Sequence, residues 1–110
     1  MTGSTTNLHP TLFTLLTQLE SKVGFTLHVT SGYRDPTHNK DVGGVEHSEH
    51  TYDPAQAADI ACPDGSSRWK LITQAIQLGC VRLGIGKDFI HIGIAVDKPQ
   101  HVIWGYYEKS

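Results

Sequence analysis

The spacing of apolar residues changes period within the first thirty positions, and that change limits the chain to folds containing both helix and sheet. In HPTLFTLLTQLESKVG, residues Leu12, Leu15, Leu16, Leu19 and Val23 recur at intervals of three and four, the period of one face of an α-helix. Pro10 stands near the start and Gly24 at the stop, where each is favoured. The next segment, FTLHVTS, sets Phe25, Leu27 and Val29 against Thr26, His28 and Thr30, the alternation of a half-buried strand. An all-helical bundle and an all-β sandwich are both excluded.

Further along, AQAADIAC at 55–62 reads as a short strand of small residues, and CPDGSS leads into a second helix. Trp69, Ile72, Ala75 and Ile76 keep the helical period there, which puts Trp69 on the core face, and Gly79 ends the helix. CVRLGIG, DFIHIGIAV and HVIWGYY read as three closing strands. This order predicts an α+β fold with two main helices and a mainly antiparallel sheet. Residues 1–8, rich in Thr and Ser, are expected to form a loose N-terminal tail, leaving 9–110 as a single domain with one core.

Charged residues make up 18% of the chain and the net charge is −2, so neither a basic patch for nucleic acid nor a polybasic run for anionic lipid is present. No apolar run is long enough to cross a bilayer, and MTGSTTNLHP lacks the charged and apolar regions of a signal peptide. The expectation is therefore synthesis in the cytoplasm without membrane insertion. Cys62 and Cys80 are expected to stay buried thiols. Histidine is the unusual component: seven residues against nine Lys and Arg combined, which directs attention to metal or acid–base chemistry.

The polar stretch from Gly32 to Pro54 has no period but holds three histidines, and loops of this length inside compact domains usually carry function. Asp59 is flanked by Ala57, Ala58, Ile60 and Ala61, and a buried carboxylate there is costly unless it is paired or binds metal. His91 sits on a strand otherwise built of Phe, Ile, Val, Ala and Gly. With His50 at the end of the loop, these residues form a candidate metal-ligand set, although a salt bridge for Asp59 and a hydrogen-bonded core position for His91 are the plainer readings of each alone.

SGYR at 31–34, Asn39, VGG at 42–44, SEH at 48–50, AQAADI at 55–60 and GIGKDFIHI at 84–92 follow one another in an order that resembles the M15-type zinc peptidases. That family comprises D-alanyl-D-alanine carboxypeptidases and the L-alanyl-D-glutamate endopeptidases of phage endolysins, and it shares a fold with the hedgehog signalling domain. The resemblance spans roughly residues 25–106. It implies Zn2+ on His50, Asp59 and His91, a general base at Asp88 that activates a water, and Arg34 polarising the scissile carbonyl. Ser48 and Tyr33, inside the matching motifs, and Trp104 are the implied substrate contacts. Trp104 and Tyr106 lie on one face of the last strand, where they either wall a cleft or pack.

The implied activity is zinc-dependent hydrolysis of peptide bonds in bacterial peptidoglycan stems by a monomeric, endolysin-like catalytic domain acting at the cell wall of a phage host. A non-catalytic zinc-containing binding module and a phage structural component are the rival readings. This chain also departs from the family pattern. The interval from His50 to Asp59 is longer than usual and brings in Asp53, whose Asp-Pro context suits a solvated turn. Gly93 stands where the family often has Asp, and Asp88 where many members have Glu.

Overall fold

A computed structural model of the protein describes residues 1–37 and 48–106. His38, Asn39, His47 and the VGG motif at 42–44 lie outside the described residues. Strand β1 (Thr2–Gly3) precedes helix α1 (Pro10–Val23), strand β2 (His28–Ser31) and a one-turn 3-10 helix (Glu49–Thr51). Strand β3 (Ala57–Ala61), helix α2 (Gly65–Gln77), and strands β4 (Arg82–Ile85), β5 (Phe89–Gly93) and β6 (Val102–Gly105) complete the order. Among the described residues the strands form one sheet in the order β1-β2-β3-β5-β4-β6. The fold is α+β with two main helices. The sheet is antiparallel through its centre, from β2 through β3 and β5 to β4, and parallel at both edges, where β1 joins β2 and β6 joins β4. No helix among the described residues is long and apolar enough to cross a membrane.

Helix α1 forms where the sequence spacing requires it. Pro10 occupies the first helical position, His9 Nδ1 accepts from the Thr11 N–H at 3.1 Å, and Gly24 closes the helix in the left-handed region at φ 79°. Its leucines and Val23 are buried and pack with Val29, Ala58, Ile60, Leu83, Ile90 and Ile92 of the sheet and Leu71 and Ala75 of α2 in one core. Each fully buried leucine or isoleucine contributes roughly 1.5–3 kcal/mol. Asp64 caps α2 by accepting from the Ser67 N–H at 2.7 Å. Cys62 and Cys80 are buried free thiols, as expected.

Residues 1–8 are not a loose tail. Backbone bonds from Thr2 N–H to Leu27 O and from Ser4 N–H to Val29 O, both 2.9 Å, add β1 to the sheet edge. The Met1 amino group pairs with Glu20 at 2.7 Å, and residues 7–9 pair with Ala55 through bonds of 2.8 Å. Composition misleads here because the segment is held by its backbone, which no side-chain pattern reports. Trp69 is likewise not in the core, being 70% exposed. Leu71 and Ala75, one turn apart, are the buried residues of α2, with Ile72 packed partly against the same core, and Trp69 lies about 200° around the helix from Leu71.

This placement gives a direct stability test. Leu16→Ala should cost about 2–5 kcal/mol, whereas Trp69→Ala should change stability by less than about 0.5 kcal/mol, both read from urea unfolding curves.

Candidate metal centre

The sheet sorts its side chains by register. Ser31 stands opposite Asp59, Asp59 opposite His91, His91 opposite Gly84, and Gly84 opposite Trp104. Residues paired in this way share a face, so a single row across the sheet carries a hydroxyl, a carboxylate, an imidazole, a gap and an indole. The neighbouring rows, Ala58 with Ile92 and Ile60 with Ile90, alternate to the other face and are buried in the core with α1 and α2. The gap at Gly84 has a steric reason: a Cβ there would lie 2.9 Å from both His91 Cβ and Trp104 Nε1 and 2.7 Å from Tyr106. Its absence lets the Trp104 ring approach His91 to 5.3 Å between centroids.

Above this row sits the 3-10 turn. Ser48 caps it, its hydroxyl oxygen accepting from the His50 N–H at 3.2 Å and its carbonyl accepting from the Thr51 hydroxyl at 2.6 Å. The turn delivers His50 and Glu49 together, and both are buried. His50 Nε2 lies 3.2 Å from Asp59 Oδ1, and His91 Nδ1 lies 3.0 Å from the same oxygen. His50, Asp59 and His91, all buried, bring one potential ligand atom each to within 4.8 Å of one another.

The outer nitrogens fix the state of the inner ones. His50 Nδ1 meets the Gly32 carbonyl at 2.8 Å, and a carbonyl only accepts, so Nδ1 carries a hydrogen. His91 Nε2 meets Glu49 Oε2 at 2.6 Å. Arg82 Nε holds that carboxylate at 3.1 and 3.2 Å, so it too accepts. With one hydrogen on each ring, both remaining lone pairs face the Asp59 carboxylate. Three acceptors converging in a buried space repel unless a cation stands among them, either further protons on the rings or a metal ion. Two imidazoles and a carboxylate suit zinc, whose catalytic sites use three protein ligands.

The electrostatics agree. Burial pushes the Asp59 carboxyl up, but hydrogen bonds and charge from His50 and His91 outweigh it and hold the group well below the usual carboxylate range. For His91, burial acts downward, and its bonds to Asp59 and Glu49 more than offset this, leaving the imidazole above its ordinary value. Glu49 is also opposed by burial and is lowered overall by His91 and Arg82.

The other expected site residues are placed as follows. Arg34 Nη2 lies 3.5 Å from Asp59 Oδ2, its Nε donates to Ser31 Oγ at 2.9 Å, and its backbone N–H donates to His50 O. Tyr33, beside it, is half-buried. Ser48 is engaged as the cap of the turn. Trp104 is half-buried against His91 and, with Ile85, Ile103, Gly105 and Tyr106, lines a shallow groove. Asp53 is apart from the ligand set: it is exposed and accepts from Asn7 Nδ2 at 2.9 Å. Asp88 lies at the β4–β5 turn, its carbonyl accepting from the Cys62 N–H at 2.8 Å. Its side chain is exposed and is not among the groups gathered around Asp59.

Two participants were not assigned from sequence as part of the centre's support. From sequence, Glu49 stands inside the SEH motif as no more than a reserve general base after Asp88, and Arg82 is not singled out. Arg82 was signalled by being the one charge within the apolar run CVRLGIG, since a charge on a buried strand demands a partner.

The decisive comparison is the family one. A family model described as peptidase M15 matches residues 2–93. The chain belongs to the peptidase M15 family. Membership implies a metallopeptidase, and the zinc dependence of M15 peptidases accords with the donor set of His50, Asp59 and His91. The matched span of this M15 chain includes every one of those residues, and β6 with Trp104 lies beyond it. No curated protein matches the chain.

The pKa directions set the pH response of the M15 chain stripped of metal. Asp59 and Glu49 are lowered, so their stabilisation is present above their unfolded values of about 4 and is lost as pH falls through the folded ones. His91 is raised, so its contribution is complete below about pH 6.5 and is lost as pH rises through the folded value. Metal-free protein should therefore be most stable near pH 5–6 and weaken towards pH 8. Added zinc should raise the melting temperature most at the alkaline end, as thermal scans in chelator-treated and zinc-loaded buffer would show.

Proposed function

We propose that this M15 chain hydrolyses peptide bonds in the stem peptides of bacterial peptidoglycan, using zinc held by His50, Asp59 and His91. The observation that carries the reading is the convergence of those buried groups on one point, within the span matched by the family. When bound, zinc supplies Lewis-acid polarisation of a peptide carbonyl and acidifies a water. His50 and His91 present Nε2 and Nδ1 to it, each held by a hydrogen bond on its other nitrogen. Arg34, placed beside Asp59 by Ser31, offers a fixed cationic fork to the oxygen of the scissile carbonyl. Asp88 takes the proton of the attacking water and passes it to the leaving amine. Tyr33, next to Arg34 in the chain, and Trp104, against the His91 ring, contact the stem peptide. Ser48 serves the site by capping the turn.

The finer parts of the proposal are a monomeric, endolysin-like role at the cell wall and a carboxypeptidase or endopeptidase choice set by the groove beside Trp104. They rest on the resemblance of the motifs. A non-catalytic zinc module is the second reading, favoured by the position of Asp88 outside the gathered groups.

One set of variants separates these readings when zinc content and digestion of purified peptidoglycan are measured together. Wild type should carry about one zinc per chain and release new peptide termini, detected by mass spectrometry. Asp59→Asn should lose most of the metal and Asp53→Asn should keep it. Asp88→Asn should keep zinc while cleavage falls roughly 10²–10⁴-fold. Arg34→Ala should keep zinc and lose about 10²–10³-fold in rate. Zinc-loaded wild type that cleaves no wall chemotype at neutral pH would leave the zinc module standing.

A further inference from the structure

Glu49 is a deeply buried carboxylate, 2% exposed, and both of its oxygens are engaged by protein groups. Oε1 accepts from the Ala95 N–H at 3.2 Å, the pair of oxygens takes Arg82 Nε, and Oε2 takes His91 Nε2. Arg82 is itself pinned: one terminal nitrogen donates to the Pro99 carbonyl at 2.6 Å and the guanidinium lies 5.0 Å from the Trp104 ring centroid. These contacts leave the carboxylate one orientation, with an oxygen on the imidazole.

The space Glu49 occupies belongs geometrically to another residue. A Cβ built on Gly93 would lie 2.2 Å from Glu49 Oε2 and 2.5 Å from Oε1. Gly93 is on the same strand and the same face as His91, two positions on, and its direct cross-strand neighbour is Arg82. The slot therefore faces both a guanidinium and the outer nitrogen of His91, which are the partners an acid needs. It is filled from the 3-10 turn and not from the strand, and a glycine at 93 is what allows this.

We propose that Glu49 is the positioning residue of the metal centre: entering the slot left open by Gly93, it holds His91 with hydrogen on Nε2 and the Nδ1 lone pair turned towards the metal. The inference rests on the metal reading of His50, Asp59 and His91. It excludes Glu49 as a general base, because its oxygens are already committed on the far side of His91. It also accounts for Gly93, since the strand needs no acid of its own where the turn provides one. Groups that orient a ligating histidine in this way typically affect metal affinity by about 10–100-fold.

The test measures zinc affinity by competition with a chromophoric chelator, and the His91 tautomer by long-range 15N–1H correlation of the imidazole. Circular dichroism serves as the control for folding. Glu49→Ala should weaken zinc about 10–100-fold and leave His91 in mixed tautomers when metal-free. Gly93→Asp alone should destabilise the fold, because its side chain collides with Glu49. The double variant Glu49→Ala, Gly93→Asp should recover affinity and the Nε2–H tautomer, the acid now coming from the strand. Should Glu49→Ala fail to fold, Glu49→Gln, which keeps an oxygen for the imidazole, should hold zinc within roughly tenfold of wild type.

A folded Glu49→Ala with unchanged affinity and tautomer overturns the proposal, as does a double variant that binds no better than Glu49→Ala, or a folded Glu49→Gln that loses zinc as completely as His91→Ala. Wild type that binds no zinc overturns the metal reading itself, a result distinct from any of these.

Discussion

Asp59 and His91 face one another across the antiparallel ladder of β3 and β5, and the rest of the molecule is arranged around what that pairing demands. It places a carboxylate and an imidazole in contact on one face while Ile60, Ile90 and Ile92 turn to the other, where α1 and α2 bury them. A slip of one residue would exchange the two sets, sending isoleucines to the polar face and charges into the core. The hydrophobic core thus fixes the register, and the register builds the site. The converse also holds, because three buried acceptors need a cation, so a proton or metal ion taken up there draws on the same free energy as folding.

The second histidine comes from a different kind of structure, a single 3-10 turn capped by Ser48. Adjacent residues of that turn do separate work: His50 supplies a lone pair, and Glu49 reaches past it to the outer nitrogen of His91. One short segment therefore contributes one member of the candidate ligand set, His50, and the acceptor that engages another, His91. The two imidazoles are anchored by unlike acceptors, a backbone carbonyl for His50 and a carboxylate for His91. The long interval between His50 and Asp59 does not disturb this geometry. Its residues are tied to the segment before α1: exposed Asp53 accepts from Asn7 Nδ2, and buried Ala55 pairs through its backbone with Asn7 and His9.

Much of this was legible in the residues. The spacing of Leu12 to Val23 set α1, the alternation through Phe89–Gly93 set β5, and a lone carboxylate among alanines marked Asp59 as needing a partner. What stayed hidden depends on partners distant in sequence. β1 and the parallel edge at β6 are made by backbone pairing, which leaves no periodic trace in two to four residues. Trp69 fits a helix face with Ile72 and Ala75, but the buried face of α2 is centred on Leu71 and Ala75, which leaves Trp69 on the solvent side. Glu49 could be found only by joining facts that sequence keeps apart: an acid beside a ligand, a charge isolated on β4, and a missing side chain at Gly93.

The account turns on which nitrogen of each histidine faces inward, so diffraction from zinc-loaded crystals, with anomalous data at the zinc edge, tests it most directly. The predicted result is one zinc bound by His50 Nε2, an Asp59 carboxylate oxygen and His91 Nδ1 at about 2.0–2.2 Å, with Glu49 still on His91 Nε2. Zinc held through His91 Nε2, or at a site that does not include Asp59, would contradict it.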